Sequence, residues 1–321
     1  MENGSIVSND TVFFENTLFV AVYGLTVAVG LPLNTFSLWV FCKKLKLRTA
    51  PIIYLTNLAI SDLLFILSLP LRIYYFATSR WIFGKVVCVV SETVFSLNFY
   101  TSPFLIALIS IDRYLAVVYP LKSRFLRSRK TAIIACATVW MIVTLMSFPI
   151  AFVYDRNDPK NETKCYEGYS KETWRSAVKL ILVITTLGFG VPFVIIISSF
   201  LAVVRFWFRT RKESQAFKRY NIIPLFLLNI GVFIVCFLPF NVALAFYGLH
   251  QAGYLSMQGS FPVQAVTMCL ASIGSFMDPI VYYFTSQAFT NIAMNTKETC
   301  NAMELPKRGC QTTNENSSLG N

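Results

Sequence analysis

The chain contains one histidine, His250, and no two cysteines in a Cys-x-x-Cys spacing. The first scarcity removes histidine-based metal clusters and counts against Ser-His-Asp catalysis and a histidine pH sensor. The second leaves zinc-ribbon and thioredoxin-like chemistry without ligands. Charge is scarce as well. Only 14% of residues are charged, against 55% hydrophobic, and mean hydropathy is +0.57. A soluble domain carries about 25% charged residues, so this chain lacks the polar surface to cover a water-soluble globule. No Lys or Arg precedes Lys43. A cleaved signal peptide is therefore not expected, because its basic n-region is missing. No half of the chain repeats the other, which opposes a transporter or channel built from internal repeats.

What is abundant is long apolar sequence. A helix needs about 20 apolar residues to cross the hydrocarbon. Seven segments qualify: Leu18–Phe41, Ile52–Phe76, Val87–Val118, Ala132–Val153, Ala177–Phe206, Ile222–Leu249 and Val263–Phe284. They do not alternate polar with apolar, so a β-barrel is excluded. The expected class is an all-α membrane protein, a bundle of seven transmembrane helices. The basic excess, net charge +12, sits in short clusters between these runs. That pattern fits membrane topology better than nucleic-acid binding.

The clusters orient the bundle. Lys43 to Arg48, Lys122 to Lys130 and Arg205 to Arg219 fall on one side, expected to be the cytoplasm. The N-terminus is then outside and the C-terminus inside, with 1–17 as an outer segment, 18–285 as the helical domain and 286–321 as the tail. The connection from Asp155 to Lys179 is basic yet outer; it is long, where the charge rule weakens. The glycosylation sequons at Asn3, Asn9 and Asn161 fall outside on this topology. In the tail, Gln287–Asn295 carries Phe289, Ile292 and Met294 and reads as a short amphipathic helix on the membrane surface, before a polar, disordered end. Cys300 and Cys310 beyond it are either palmitoylated or plain thiols.

Each span carries a recognisable motif. The first has Gly30-Leu31-Pro32-Leu33-Asn34, and the second Asn57-Leu58-Ala59-Ile60-Ser61-Asp62. The third ends in Asp112-Arg113-Tyr114. The fourth has Trp140 and the fifth Pro192. The sixth has Phe233 to Pro239, and the seventh Asp278-Pro279-Ile280-Val281-Tyr282. In this order the chain resembles the rhodopsin-like (class A) G-protein-coupled receptors over nearly its whole length. The resemblance implies a plasma-membrane receptor that passes an outside signal to a heterotrimeric G protein, with arrestin and receptor kinases as further partners and no enzymatic activity. It implies that Asp112 restrains Arg113 at rest, and that Tyr114, Leu121, Phe233, Phe237, Pro239, Asp278, Pro279 and Tyr282 take part in coupling and activation. Pro192, Pro239 and Pro279 each remove a helical hydrogen bond and allow a kink. Pro103 and Phe200 depart from the family pattern beside the activation switch. Basic residues from Arg205 to Arg219 are either G-protein contacts or topology signals.

Asp62 lies mid-span, where a carboxylate is costly without partners. Asn34, Ser102, Ser275 and Asp278 are its expected neighbours. The family places a sodium ion or a polar network at this level; either reading suits these residues. No other cofactor or metal is implied. Asp62 and Asp278 also mimic the carboxylate pair of an intramembrane enzyme, but both fit the receptor pattern. Cys88 and Cys165 are expected to form an outer disulfide.

Arg72, after Pro70, is the informative residue for the ligand. An intramembrane arginine is functional by default. Two readings stand: an internal pair with Glu92, or a counter-ion for a carboxylate or phosphate ligand. Lys164, Arg175 and Lys179 near the mouth would attract anions. The segments around Arg72 and Asp278 look most like the branch holding purinergic, lysophosphatidic-acid and related lipid receptors. Asn241 and Leu244 stand where nucleotide receptors carry His and Arg. Phe95, Phe99, Phe240, Leu244, Tyr247 and Met268 suit an acyl chain. The expected ligand is an anionic lipid such as a lysophospholipid; a free fatty acid, another small carboxylate or a nucleotide are the alternatives.

Overall fold

Hydrocarbon offers no hydrogen-bond partners, so a spanning segment must satisfy its own backbone. A computed structural model of the chain, which describes residues 9–155, 165, 171–210, 222–255 and 262–280, is built on that rule. Among the described residues seven helices are long and apolar enough to cross a membrane. Their bounds extend the expected spans. The first helix runs Asn9–Trp39 and continues as a π-helical turn, Val40–Lys44. It starts well ahead of Leu18 because nothing between Asp10 and Leu18 is Pro or Gly, and Val12, Phe13 and Phe14 lie exposed along it. The second helix spans Ala50–Thr78, the third Gly84–Val118 and the fourth Arg129–Asp155. The sixth spans Ile222–Gln251, and the described part of the seventh Val263–Ile280.

The fifth helix comes in two pieces, Lys171–Thr185 and Val191–Thr210, joined by a π-helical turn at Thr186–Gly190. Pro192 explains the break. It has no N–H for the carbonyl four residues back, at Gly188, and a π turn absorbs the mismatch. Gly188 has a second reason to be glycine. A Cβ there would lie 2.5 Å from Tyr100 Cδ1 of the third helix, so the Tyr100 ring packs against this turn only because the side chain is missing.

The third helix is the axis of the bundle. Its most apolar stretch is 72% buried, against 17% for the first helix. It packs on the second, the fourth and the longer piece of the fifth helix, while the first packs on the second. Pro32, Pro70, Pro103 and Pro239 all lie within helices. At one end, Ser79 adopts a left-handed φ of 53° to close the second helix, and Gly84 at φ 77° opens the third. Between them Trp81 donates from Nε1 to Gly84 O at 2.7 Å and packs with Tyr75 against Cys88 and Cys165. Those two cysteines form the expected disulfide. At the opposite end, Ser128 caps the fourth helix, accepting from Thr131 N at 3.2 Å.

All described residues belong to one unit, Met1–Tyr282. Asn3, Asn161, Lys164, Tyr282, Cys300, Cys310 and the amphipathic segment lie outside the described residues, as does the side chain of Asn9.

Gly188→Ala is expected to lower the melting temperature of the purified protein, by the equivalent of about 1–3 kcal/mol of overpacking. Thermal melts of the single variant and of Gly188→Ala with Tyr100→Leu check it; the smaller side chain at position 100 should restore most of the loss.

Candidate functional site

Three polar levels lie along the third helix, and each is built from the rule that buried polar groups need partners. The first lies toward the disulfide. Arg72 of the second helix is 1% exposed, and its Nη2 sits 3.0 Å from Glu92 Oε1 of the third. Its guanidinium carbon lies 3.7 Å from the centre of the Phe95 ring, so the cation also rests on an aromatic face. The internal pair anticipated from sequence is therefore formed.

Beneath Arg72 the aromatic rings run on without a gap. Phe95 stacks on Phe99 at 4.5 Å between centroids, and Phe65 leans on Phe95 at 5.3 Å. Phe99 meets Phe240 at 4.5 Å and Phe237 at 6.5 Å. Phe237 leads to Phe233 at 5.7 Å, and Phe233 lies flat on Phe189 of the fifth helix at 5.2 Å. Leu244 and Met268 pack against this cluster. Buried Asn241 donates to Phe237 O at 2.9 Å, while its Oδ1 makes no hydrogen bond.

Three residues expected around the mouth have defined surroundings. Tyr247 is 39% exposed and packs edge-on against Trp174 of the fifth helix. Arg175 donates from Nε to Ala252 O at 3.2 Å, so it ties the fifth helix to the end of the sixth rather than standing free. Lys179 is exposed although Ala177 and Val178 beside it are buried. For Arg175 and Lys179 the helical turn from Lys171 sets these directions.

The second level is mid-bundle. Asn98 is its hub. Its Nδ2 lies 3.0 Å from Asp62 Oδ1, 3.2 Å from Ser61 Oγ and 3.4 Å from Ser102 Oγ, and its Oδ1 accepts from Ser275 Oγ at 3.5 Å. Asn34 bridges the first and seventh helices, donating to Ser275 O at 2.8 Å. Asp62, Ser102, Ser275 and Asp278 are all buried. Asp62 Oδ2 and Asn34 Oδ1 are buried oxygens without a hydrogen bond in good geometry. Among the described residues no three His, Cys, Asp or Glu side chains converge; the groups around Asp62 are oxygens, the ligand type of hard cations. Sequence reading missed Asn98. The signal was present, because an Asn four residues before Ser102 shares its helical face. Nearby, Trp140 Nε1 donates to Asn57 Oδ1 at 3.1 Å, tying the fourth helix to the second.

The third level closes the other end. Asp112 is 3% exposed, and its carboxylate accepts from Arg127 Nε at 3.0 Å. The ion pair found for Asp112 thus reaches across to Arg127 in the connection after the helix, in addition to its electrostatic contact with Arg113. Adjacent helical residues point apart, whereas the turn over Pro120–Arg127 folds back and brings Arg127 in. Ser123 Oγ, donating to Leu115 O at 3.1 Å, fixes that turn. Arg113 is buried at 8% exposure. Tyr114 packs edge-on against Tyr119. Leu121 at 90% and Phe125 at 82% exposure project from the same turn. Phe233 and Phe237 are buried in the core, Pro239 is half-buried, and Asp278 and Pro279 are buried.

Residues 33–282 match the family model of the 7 transmembrane receptor (rhodopsin family). The chain belongs to that family. The receptor is 36% identical to the mouse lysophosphatidic acid receptor 5 over 318 residues, covering 96% of this chain and 85% of that one. It is 34% identical to the human lysophosphatidic acid receptor 4, over 89% of this chain and 79% of that one. The human uracil nucleotide/cysteinyl leukotriene receptor is 30% identical, over 88% and 77%. The chain is thus a receptor and not an enzyme, a multi-pass protein of the plasma membrane.

Arg127→Ala is expected to raise basal nucleotide exchange on G protein roughly fivefold, the factor that about 1 kcal/mol gives. Purified receptor without ligand is assayed beside Arg127→Lys, expected to stay near wild type. The exchange Asp112→Arg with Arg127→Asp tests the charge pair itself, and should fall below Arg127→Ala.

Proposed function

We propose that the receptor is activated by a lysophospholipid, through an anionic headgroup at Arg72 and an acyl chain along the aromatic cluster. One observation carries this. A buried arginine, resting on Phe95, stands at the head of a continuous apolar column that includes Phe99, Phe240, Leu244 and Met268. That is the amphiphile's own order of chemistry, one anionic end and one apolar body. Two relatives named above are lysophosphatidic acid receptors. A nucleotide reading, which the 30% relative raises, is weaker because Asn241 and Leu244 offer no cation.

The rest of the reading follows the family. The disulfide end faces outside and the Arg113 end the cytoplasm, where the receptor couples to a heterotrimeric G protein. Ligand binding favours the state in which the sixth helix has moved out, so the ligand must bind that state more tightly. Arg113 and the exposed Leu121 then face the G protein, and arrestin and receptor kinases act on the same face. Asp62, Ser102, Ser275, Asp278 and Asn34 would hold a sodium ion, whose single charge would offset one of the two carboxylates in the resting state.

The test is nucleotide exchange on purified G protein against a panel of anionic lipids and nucleotides, with wild type and Arg72→Ala in parallel. Wild type should respond to lysophospholipid, and Arg72→Ala should raise the half-maximal concentration about tenfold to hundredfold, the worth of a lost charge-assisted hydrogen bond. Response to nucleotides alone would sink the reading.

A further inference from the structure

The two partners of the Arg72–Glu92 pair are unequal. Arg72 is 1% exposed and pinned on the Phe95 ring, whereas the Glu92 side chain is 21% exposed. Of the two, Glu92 is the partner that solvent reaches. A guanidinium presents its N–H donors in a planar fork that matches a phosphate as well as a carboxylate.

A third group completes the picture. Tyr23 of the first helix is fully buried, yet its hydroxyl makes no hydrogen bond in good geometry. It lies within electrostatic reach of Arg72 and Glu92. Its polar neighbour Ser272 donates its own proton to Met268 O at 2.8 Å. Phe19 and Phe76 wall it in. Ser272 Oγ keeps lone pairs that can accept from Tyr23, and a phosphate oxygen would be the stronger, charged acceptor.

We propose that Glu92 is a built-in counter-ion that an incoming phosphate monoester displaces from Arg72, with the Tyr23 hydroxyl donating to the same phosphate. This rests on the anionic-lipid reading and adds what sets the headgroup. A ligand carboxylate that replaces Glu92 exchanges one carboxylate for another and gains little. A phosphate monoester brings a charge of about −1.5 to −2 and three acceptor oxygens. It can engage the arginine fork and the tyrosine together, and so outcompetes the tethered carboxylate. Glu92 is thereby a specificity residue: it filters out weaker anions of the same chain length.

The experiment uses the intact receptor in nanodiscs with G protein, and two probes of one chain length, a 1-acyl-glycerol 3-phosphate and the matching fatty acid. Glu92→Gln keeps the shape and removes the competitor. It should lower the half-maximal concentration of the phosphate lipid by about tenfold. It should lower that of the fatty acid by more, so that the preference for phosphate narrows. Tyr23→Phe should raise the value for the phosphate lipid by about threefold to tenfold. Glu92→Asp keeps the charge on a shorter stem. It should fall between wild type and Glu92→Gln, and serves the same comparison if Glu92→Gln fails to reach the surface. A rise with Glu92→Gln, or an unchanged preference between the probes, overturns the proposal while leaving the lipid reading intact. Failure of wild type to respond to either probe overturns both.

Discussion

Hydrocarbon gives a buried polar group nothing to bond with, and the receptor is arranged around that constraint. Backbone groups solve it by helix formation, which accounts for seven long helices. Side chains cannot solve it alone. Asp62, Arg72, Asp112 and Arg113 are at most 8% exposed, and each such group needs partners supplied from elsewhere in the bundle. The third helix, the most enclosed, supplies many of them: Glu92 to Arg72, Asn98 to Asp62, and Asp112 to Arg127.

These three levels differ in how firmly they are held. The middle one is a web around Asn98, in which Asp62, Ser61, Ser102 and Ser275 share one amide. The outer two are ion pairs in which one partner is the more exposed, Glu92 at 21% and Arg127 at 27%. A buried pair costs desolvation and returns it only while both partners stay in place. Pairs with one exposed member are suited to opening and closing, and a web is suited to holding two packed arrangements apart. Between the levels, the rings from Phe95 to Phe189 form a stiff packed column, so movement of one ring is felt by the next.

Much of this was legible in the chain before any fold was seen. The seven spans, the pairing of Cys88 with Cys165 and the neighbourhood of Arg72 and Glu92 follow from hydropathy, compartment and the cost of charge in lipid. Asn98 was legible in principle, as an amide one turn from Ser102. Helix starts were not, because Val12 and Phe13, or Trp174 and Arg175, are equally compatible with a loop or with an exposed helical turn. That uncertainty propagates: without the start of the fifth helix, the direction of Arg175 or Lys179 cannot be set.

Sequence by itself determined the class, the number of spans and which polar residues lie within apolar ones, since these depend on local composition and on a solvent that is the same for every chain. Tertiary structure alone decided which partner each charge takes. Arg127 lies in a connection fifteen residues from Asp112, and only the turn over Pro120–Arg127 brings the two to 3.0 Å. Tyr23 and Arg72 sit on different helices, and only packing encloses the tyrosine hydroxyl near the guanidinium. Pairing across helices depends on the rotation and crossing of each one, and no local pattern in the chain records those.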